Sequence, residues 1–187
     1  MQMFDNINEF VKDDLKREIR SGSKVSIAAA CFSIYAYQEL KDQLSDIAVL
    51  RFIFTSPTFT TERAPKEKRE FFIPRQMRES TLCGSDFEIK LRNQLSQKAI
   101  AKECANWIRR KACFKTNIST GVLNGFMNVT NEDGKYTYLP FNEFTTTELG
   151  CERGNNMCPA SMRMPSPFAD EYLRNFNELW NNSENFK

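Results

Sequence analysis

The chain has 187 residues, a length that suits one domain with a sizeable hydrophobic core. Its hydrophobic fraction of 41%, with 16 phenylalanines, excludes an intrinsically disordered protein. The formal net charge is only +2, so an affinity for nucleic acid has to come from local clusters of basic residues. We therefore expect a single domain spanning residues 1–187.

The N-terminal residues and the cysteines indicate a cytoplasmic protein without a cofactor. QMFDNINEFVKDDLKREIR carries acidic residues from Asp5 onward, unlike a secretory signal. No apolar run approaches the roughly 20 residues of a membrane-spanning helix, so no membrane contact is expected. The six cysteines lie mostly within apolar patterns, which is typical of reduced core residues. Cys151 and Cys158 form at most half a zinc site, and with no histidine to complete it we interpret them as loop thiols.

The first part of the chain predicts a β–α–β unit. Apolar residues at helical spacing between Asn6 and Ile19 predict an amphipathic helix. The apolar runs Lys24–Phe32 and Ala48–Thr55 have the pattern of strands covered on both faces, and Ser33–Leu44 between them predicts a helix capped by Ser33. Two strands joined by a crossover helix over about 30 residues are expected to pair in parallel.

Residues Ser56–Ser80 interrupt this order with prolines and with charges of both signs. A stretch of this length between core elements is usually functional or mobile. We interpret it as a charged arm or insertion within the domain, and both a solvated surface segment and a partner-binding segment remain open.

A helical region that ends near Lys111 carries the main charge cluster of the chain. From Gln97 its apolar residues Ile100, Cys104, Trp107 and Ile108 share one face, and Lys98, Lys102 and Arg109 lie on the opposite face. Between Ile89 and Lys115 there are eight lysines and arginines and a single acidic residue, Glu103. Such a cluster suits contact with a phosphate backbone, although any amphipathic helix must present polar residues to water. The candidate nucleic-acid-binding residues are Arg92, Lys98, Lys102, Arg109, Arg110 and Lys115.

The last third of the chain predicts a strand, a hairpin and a terminal helix. Cys113–Ser119 has a strand pattern, and Asp133-Gly134 between LNGFMNV and KYTYL is a strong hairpin signal. FNEFTTTELG then predicts a short helix or turn. Phe168–Asn182 places apolar residues in helical register and predicts the terminal helix.

This order of elements resembles phospholipase D-like domains. SKVSIAAACFSIYAYQELKDQL followed by AVLRFIFTSPTF is similar to the opening of that fold. FEIKLRNQLSQKAIAKECANWIRRKACFKTN and YLRNFNELWNN are similar to the phospholipase D-like domain at the N-terminus of bacterial Swi/Snf-type (superfamily two) helicases. The resemblance covers nearly the whole chain. It implies an α/β fold with a phospholipase D-like mixed β-sheet sandwiched between helices, and a helicase motor in the same chain.

The resemblance also implies a His-x-Lys motif on a strand and an asparagine downstream, which attack and hold a phosphate. The matching strand is VLNGFMNV, which places Val122 near the histidine position and Asn124 near the lysine position. The downstream motif matches PFNEFTTTELG, where Asn142 is the surviving asparagine and Thr145 follows it. Cleavage of a phosphodiester needs an activated nucleophile and a cation near the transferring group. The site is therefore expected to be degenerate, with no catalytic residue and no metal.

Two functions remain open. The first is a non-catalytic accessory domain of a DNA helicase or translocase, which aids engagement of nucleic acid, with DNA as the favoured form. The second is a protein-interaction or dimerisation module, in which two copies pair across the degenerate site. An active phosphodiesterase or nuclease would need a nucleophile that the sequence does not supply.

Overall fold

A computed structural model describes residues 1–55, 97–152 and 160–187. The strands of these residues, β1–β7, are Gln2–Phe4, Lys24–Ala29, Val49–Phe54, Ala112–Thr116, Phe126–Thr130, Lys135–Leu139 and Ser161–Pro165. The helices, α1–α5, are Val11–Glu18, Ile34–Glu39, Lys41–Ser45, Gln97–Lys111 and Phe168–Asn181. The predicted α/β class is confirmed. The predicted arm, Ser56–Ser80, and the start of the helical region before α4 lie outside the described residues.

All seven described strands form one mixed sheet in the order β1-β7-β6-β5-β2-β3-β4. β2, β3 and β4 run parallel, and the remaining pairs are antiparallel. The predicted β–α–β unit is thus confirmed, with β2 and β3 as its strands. Its connection contains two short helices rather than one, since Leu40 leaves the helical conformation with φ −110° and ψ 13°. The Ser33 hydroxyl accepts a hydrogen bond from the Tyr35 amide and caps α2 as expected.

The two faces of the sheet bury different elements. Successive side chains of a strand point to opposite faces. On one face, here the α4 face, Val25 and Phe52 join the buried residues of α1–α4 in one hydrophobic core. On the other, the α5 face, Ala28 and Ile53 pack with Phe176 of α5. Helices therefore cover both faces of the sheet within the described ranges, and none of these helices is long and apolar enough to cross a membrane.

The strands β1 and β7 were not predicted from the sequence. Each is short, and β7 ends in a proline, so neither carries a clear alternating pattern. β1 pairs with β7, and β7 pairs on its other side with β6. Arg163 of β7 also bonds Asp14 and Glu18 of α1, with its Nη1 3.0 Å from the Asp14 carboxylate. These partners are far apart in sequence, which explains why the local pattern did not reveal the strands.

The hairpin and the terminal helix follow the prediction closely. Asn131 closes the turn between β5 and β6, because its side-chain oxygen accepts hydrogen bonds from the amides of Asp133 and Gly134 at 3.0 Å. The hairpin begins at Phe126, later than the segment LNGFMNV suggested. Of the two alternatives predicted for the segment 141–150, a short helix or a turn, the structure has turns, and Phe144 makes an isolated bridge to Phe32.

Candidate functional site

The four predicted positions of the degenerate site lie in two adjacent loops. Val122 and Asn124 precede β5, and Asn142 and Thr145 follow β6. The two loops meet at the end of the sheet where the parallel strands β2 and β3 finish. Ligands of open α/β sheets commonly bind at the carboxyl ends of such strands, so the position suits a binding site.

A close backbone contact joins the two loops. The amide of Phe141 donates a hydrogen bond to the Gly125 carbonyl at 3.0 Å. A Cβ atom on Gly125 would lie 2.3 Å from the Phe141 carbonyl oxygen and 2.5 Å from the Asn142 Cα. Only glycine permits this approach. A glycine within a strand pattern is a known signal for such contacts, and it was available in VLNGFMNV.

Hydrogen bonds to the end of β2 fix the second loop. The Ala30 amide donates to the Asn142 carbonyl at 2.8 Å, and the Phe144 amide donates to the Cys31 carbonyl at 3.0 Å. Phe144 itself is fully buried and anchors the turn in the core. The backbone of the degenerate site is therefore held rigidly, whereas the Asn142 side chain remains exposed to solvent.

The electrostatic environment of this loop does not favour a phosphate. The backbone amide of Asn142 donates a hydrogen bond to a Glu148 carboxylate oxygen at 3.0 Å, so this backbone N–H is not available to a ligand. The pKa of Glu148 is raised overall. Burial is the main cause, the hydrogen bond from the Asn142 backbone amide lowers the pKa, and the charge of Glu143 raises it. The Thr145 hydroxyl accepts a bond from the Glu148 amide at 3.3 Å. Two of the four predicted positions therefore serve the turn itself, beside a carboxylate.

The other two positions line a groove against α5. The groove has a volume of about 550 Å³ and is bounded by Val122, Leu123, Asn124, Phe126, Tyr172, Asn175, Glu178, Leu179 and Asn182. Val122, at the predicted histidine position, is 95% exposed. The structure thus brings Val122 and Asn124 to this groove, while Asn142 and Thr145 are not among its lining residues.

Two of the described cysteines, Cys104 and Cys151, are not activated as nucleophiles. Burial raises the pKa of Cys104 and of Cys151 to about 12, so both thiols stay protonated at neutral pH. No group of three or more histidine, cysteine or acidic side chains in the described ranges is arranged to hold a metal. Cys158, which with Cys151 could form at most half a zinc site, lies outside those ranges. The groups present are suited to hydrogen bonding.

The helix α4 presents the predicted basic face. Ile100, Cys104 and Trp107 are buried, and the Trp107 indole donates a hydrogen bond to the Leu44 carbonyl at 2.7 Å, which locks α4 against α3. On the opposite side Lys102 and Arg109 are exposed to solvent, and Arg110 is exposed on the flank of the helix, about 60° from Trp107. The amphipathic division predicted from the helical period is confirmed for these residues.

The exposed cations of α4 are not neutralised by neighbouring carboxylates in the part of the chain that the structure describes. Glu103 pairs with Lys41 instead, at 2.6 Å. Arg109 donates to the Asn106 side-chain oxygen at 3.1 Å, and Arg110 donates to the Asn106 carbonyl at 3.2 Å. Both arginines also lie in the last turn of α4, where positive charge stabilises the helix dipole.

The remaining predicted basic residues are not all on this face. Lys115 lies in β4 on the α5 face, and its Nζ donates to the Trp180 carbonyl at 2.7 Å. The structure therefore separates Lys115 from Lys102 and Arg109. Lys98 lies in the first turn of α4, and Arg92 lies outside the described residues.

Comparison with known proteins does not assign the chain to a family. No protein-family model matches it, and no curated protein matches it either. The fold that is established is a mixed α/β architecture, in which the described strands form one sheet of seven. The resemblance to phospholipase D-like domains rests on the sequence segments quoted above.

Proposed function

We propose that this chain is a non-catalytic, phospholipase D-like accessory domain that helps a DNA helicase or translocase to engage nucleic acid. The observation that carries the proposal is the exposed face of α4 with Lys102, Arg109 and Arg110, which form no ion pair within the described residues. Cations in this state can exchange the counterions of a phosphate backbone. Their projection from a helix locked into the core gives them a defined spacing.

The degenerate site supports the non-catalytic part of the proposal. An exposed valine stands near the position of the expected nucleophile, and Asn124 stands near the position of the expected lysine. Neither side chain can attack phosphorus or neutralise its charge. The carboxylate of Glu148 beside Asn142 also opposes binding of a phosphate in that loop.

Three phosphate contacts make binding weak and sensitive to salt. For duplex DNA the logarithm of the binding constant falls with that of the salt concentration at a slope of about −0.9 per contact, here about −2.7 in total. A rise from about 50 to 200 mM salt is then expected to weaken binding roughly 40-fold. Covalent linkage to a motor would raise the effective concentration and offset the low affinity.

The test is fluorescence anisotropy of labelled single- and double-stranded DNA with the 187-residue chain at both salt concentrations. Lys102→Glu/Arg109→Glu is expected to abolish binding. The control, Lys16→Glu/Lys24→Glu, makes the same change in net charge at exposed positions of α1 and β2. It is expected to retain most of the DNA binding of the wild type. Circular dichroism checks that both variants fold. Equal losses in both variants, or no binding at low salt, would contradict the proposal.

One observation favours the second candidate function, a dimerisation module. Val122 is 95% exposed and Ile118 is 43% exposed, and both precede the hairpin. Pairing of two copies would cover this apolar surface. In that case light scattering coupled to size exclusion shows a dimer that persists at high salt, and Val122→Asp converts it to a monomer. A monomer at all concentrations contradicts this alternative.

A further inference from the structure

A row of polar side chains crosses the α5 face of the sheet, inside strands that are otherwise apolar. Ser26 of β2 is paired with Arg51 of β3 on one side and with Asn128 of β5 on the other. Asn128 is paired in turn with Thr137 of β6. Residues paired in this way point to the same face of a sheet. The row therefore places these polar groups side by side on the face that α5 covers.

Arg51 is a partly buried cation without a counter-charge among the described residues. Its Nη2 donates a hydrogen bond to the Ser26 hydroxyl at 3.0 Å. Its guanidinium lies over two rings of α5, 5.0 Å from the centroid of Phe176 and 5.7 Å from that of Trp180. Burial lowers the pKa of Arg51, with no carboxylate acting in the opposite sense. Within residues 1–55, 97–152 and 160–187, several of its N–H donors have no hydrogen-bond acceptor.

Asn128 is the second unusual member of the row. Its side chain is buried, with only 2% of the residue exposed. Neither the oxygen nor the nitrogen of its carboxamide has a hydrogen-bond partner among the described residues. Buried polar side chains without a partner are rare in native proteins, and each one calls for an explanation. A ligand that accepts hydrogen bonds would satisfy the nitrogen.

The three groups lie side by side on neighbouring strands. Neighbouring strands lie about 4.8 Å apart, so Arg51 and Asn128 start roughly 10 Å from each other. Ser26, with its short side chain, lies between them and keeps a hydroxyl hydrogen to donate after accepting the bond from Arg51. Cys113, the next residue of the row, is exposed, so the row reaches solvent at the β4 side.

We propose that Arg51, Ser26 and Asn128 form a binding site for an oxyanion, either a phosphate group or a carboxylate. The guanidinium supplies a positive charge and a planar pair of donors, which suit both ligands. The Ser26 hydroxyl and the Asn128 side-chain nitrogen add further donors. The site is independent of the proposed function, because it lies on the α5 face whereas the basic face of α4 lies beyond the other face of the sheet.

The test measures thermal unfolding of the 187-residue chain during titration with sodium phosphate and, separately, sodium acetate. Sodium chloride keeps the ionic strength constant. A bound anion raises the melting temperature with the logarithm of its concentration above Kd, by about 3–6 °C at a ligand concentration ten times Kd. Phosphate also stabilises proteins by exclusion from their surface, an effect that a point mutation does not remove. The site-dependent response is therefore the part that a substitution in the site abolishes, and the salt with the stronger site-dependent response identifies the ligand class.

Two variants of the site and one control decide the result. Arg51→Met removes the charge but keeps a long side chain against Phe176 and Trp180, and it is expected to retain only the general effect of phosphate exclusion. Asn128→Asp supplies an internal carboxylate, so it is expected to melt above the wild type without added anion and to respond to neither salt. Lys16→Met, on α1, removes a charge elsewhere and is expected to respond like the wild type.

Several outcomes would overturn the proposal. They are the absence of a rise in the melting temperature of the wild type with either anion, a response in Arg51→Met equal to that of the wild type, and a lower melting temperature of Asn128→Asp with its response retained. If Arg51→Met does not fold, as judged by circular dichroism, the behaviour of Asn128→Asp decides alone. The DNA-binding measurement on α4 variants is unaffected by any of these results.

Discussion

Replacing Gly125 with alanine tests the close contact between the two loops of the degenerate site. The added Cβ would lie 2.3 Å from the Phe141 carbonyl oxygen, 2.5 Å from the Asn142 Cα and 2.8 Å from the Phe141 carbonyl carbon. Favourable contacts between carbon atoms lie at about 3.5–4.0 Å, so each of the three distances is too short by about 0.7 Å or more. All three are backbone atoms, and no change of rotamer can relieve the clash.

The cost follows from what has to move. Overpacking of this kind costs about 1–3 kcal/mol. Displacing Phe141 and Asn142 also strains two hydrogen bonds. The Phe141 amide donates to the Gly125 carbonyl at 3.0 Å, and the Ala30 amide donates to the Asn142 carbonyl at 2.8 Å. Each bond contributes about 1 kcal/mol net. We expect a loss of about 3 kcal/mol, and a fall in the melting temperature of roughly 6–12 °C for a chain of this size.

The assay is urea denaturation at pH 7 followed by circular dichroism, with Gly134→Ala as a matched control. A Cβ on Gly134 meets nothing nearer than the Tyr136 hydroxyl oxygen at 3.6 Å, an ordinary contact. The control is expected to change the free energy of unfolding by no more than about 0.5 kcal/mol. If Gly125→Ala changes it equally little, the contact between the loops is not as close as described, and the argument built on it fails.

Two further perturbations test the buried charges. Arg163→Met leaves the fully buried Asp14 without one of its partners and is expected to cost about 3–5 kcal/mol in urea denaturation. Arg174→Met breaks only exposed pairs, with Glu171 and Glu178, and should cost no more than about 1 kcal/mol. Glu148→Gln is expected to raise the melting temperature at pH 7. Because burial raises the pKa of Glu148 above 4.5, the wild type binds more protons when folded and loses stability as the pH rises through that range. The advantage of the variant should therefore vanish toward pH 4, and a constant difference would refute it.

Local patterns in the sequence were sufficient to predict much of the fold. Continuous apolar runs predicted β2 and β3, and Asp133-Gly134 predicted the hairpin, because both signals arise within a few residues. The period of α4 predicted which of its side chains are exposed. The position of Gly125 also carried a signal, since glycine within a strand pattern often marks a close approach of two backbones.

The candidate site was only partly accessible to the same reasoning. The four positions were predicted as one site. In the structure the Asn142 backbone amide donates its hydrogen bond to Glu148, and the Thr145 hydroxyl accepts one from the Glu148 amide within the turn. Lys115 was grouped with the basic residues of α4 because it is close to them in sequence. Lys115 lies in β4, which follows α4 directly, and the alternation of side chains along this strand places the Lys115 side chain on the α5 face.

The sequence by itself determined the α/β class, the parallel unit of β2 and β3, the hairpin and the two sides of α4. Only the tertiary structure decided the pairing of β1 with β7, the separation of Lys115 from α4, and the alignment of Arg51 with Asn128 across Ser26. The first set depends on hydrophobic period and turn chemistry, which act over neighbouring residues. The second depends on strand register and burial between segments far apart in the chain, which no local pattern encodes.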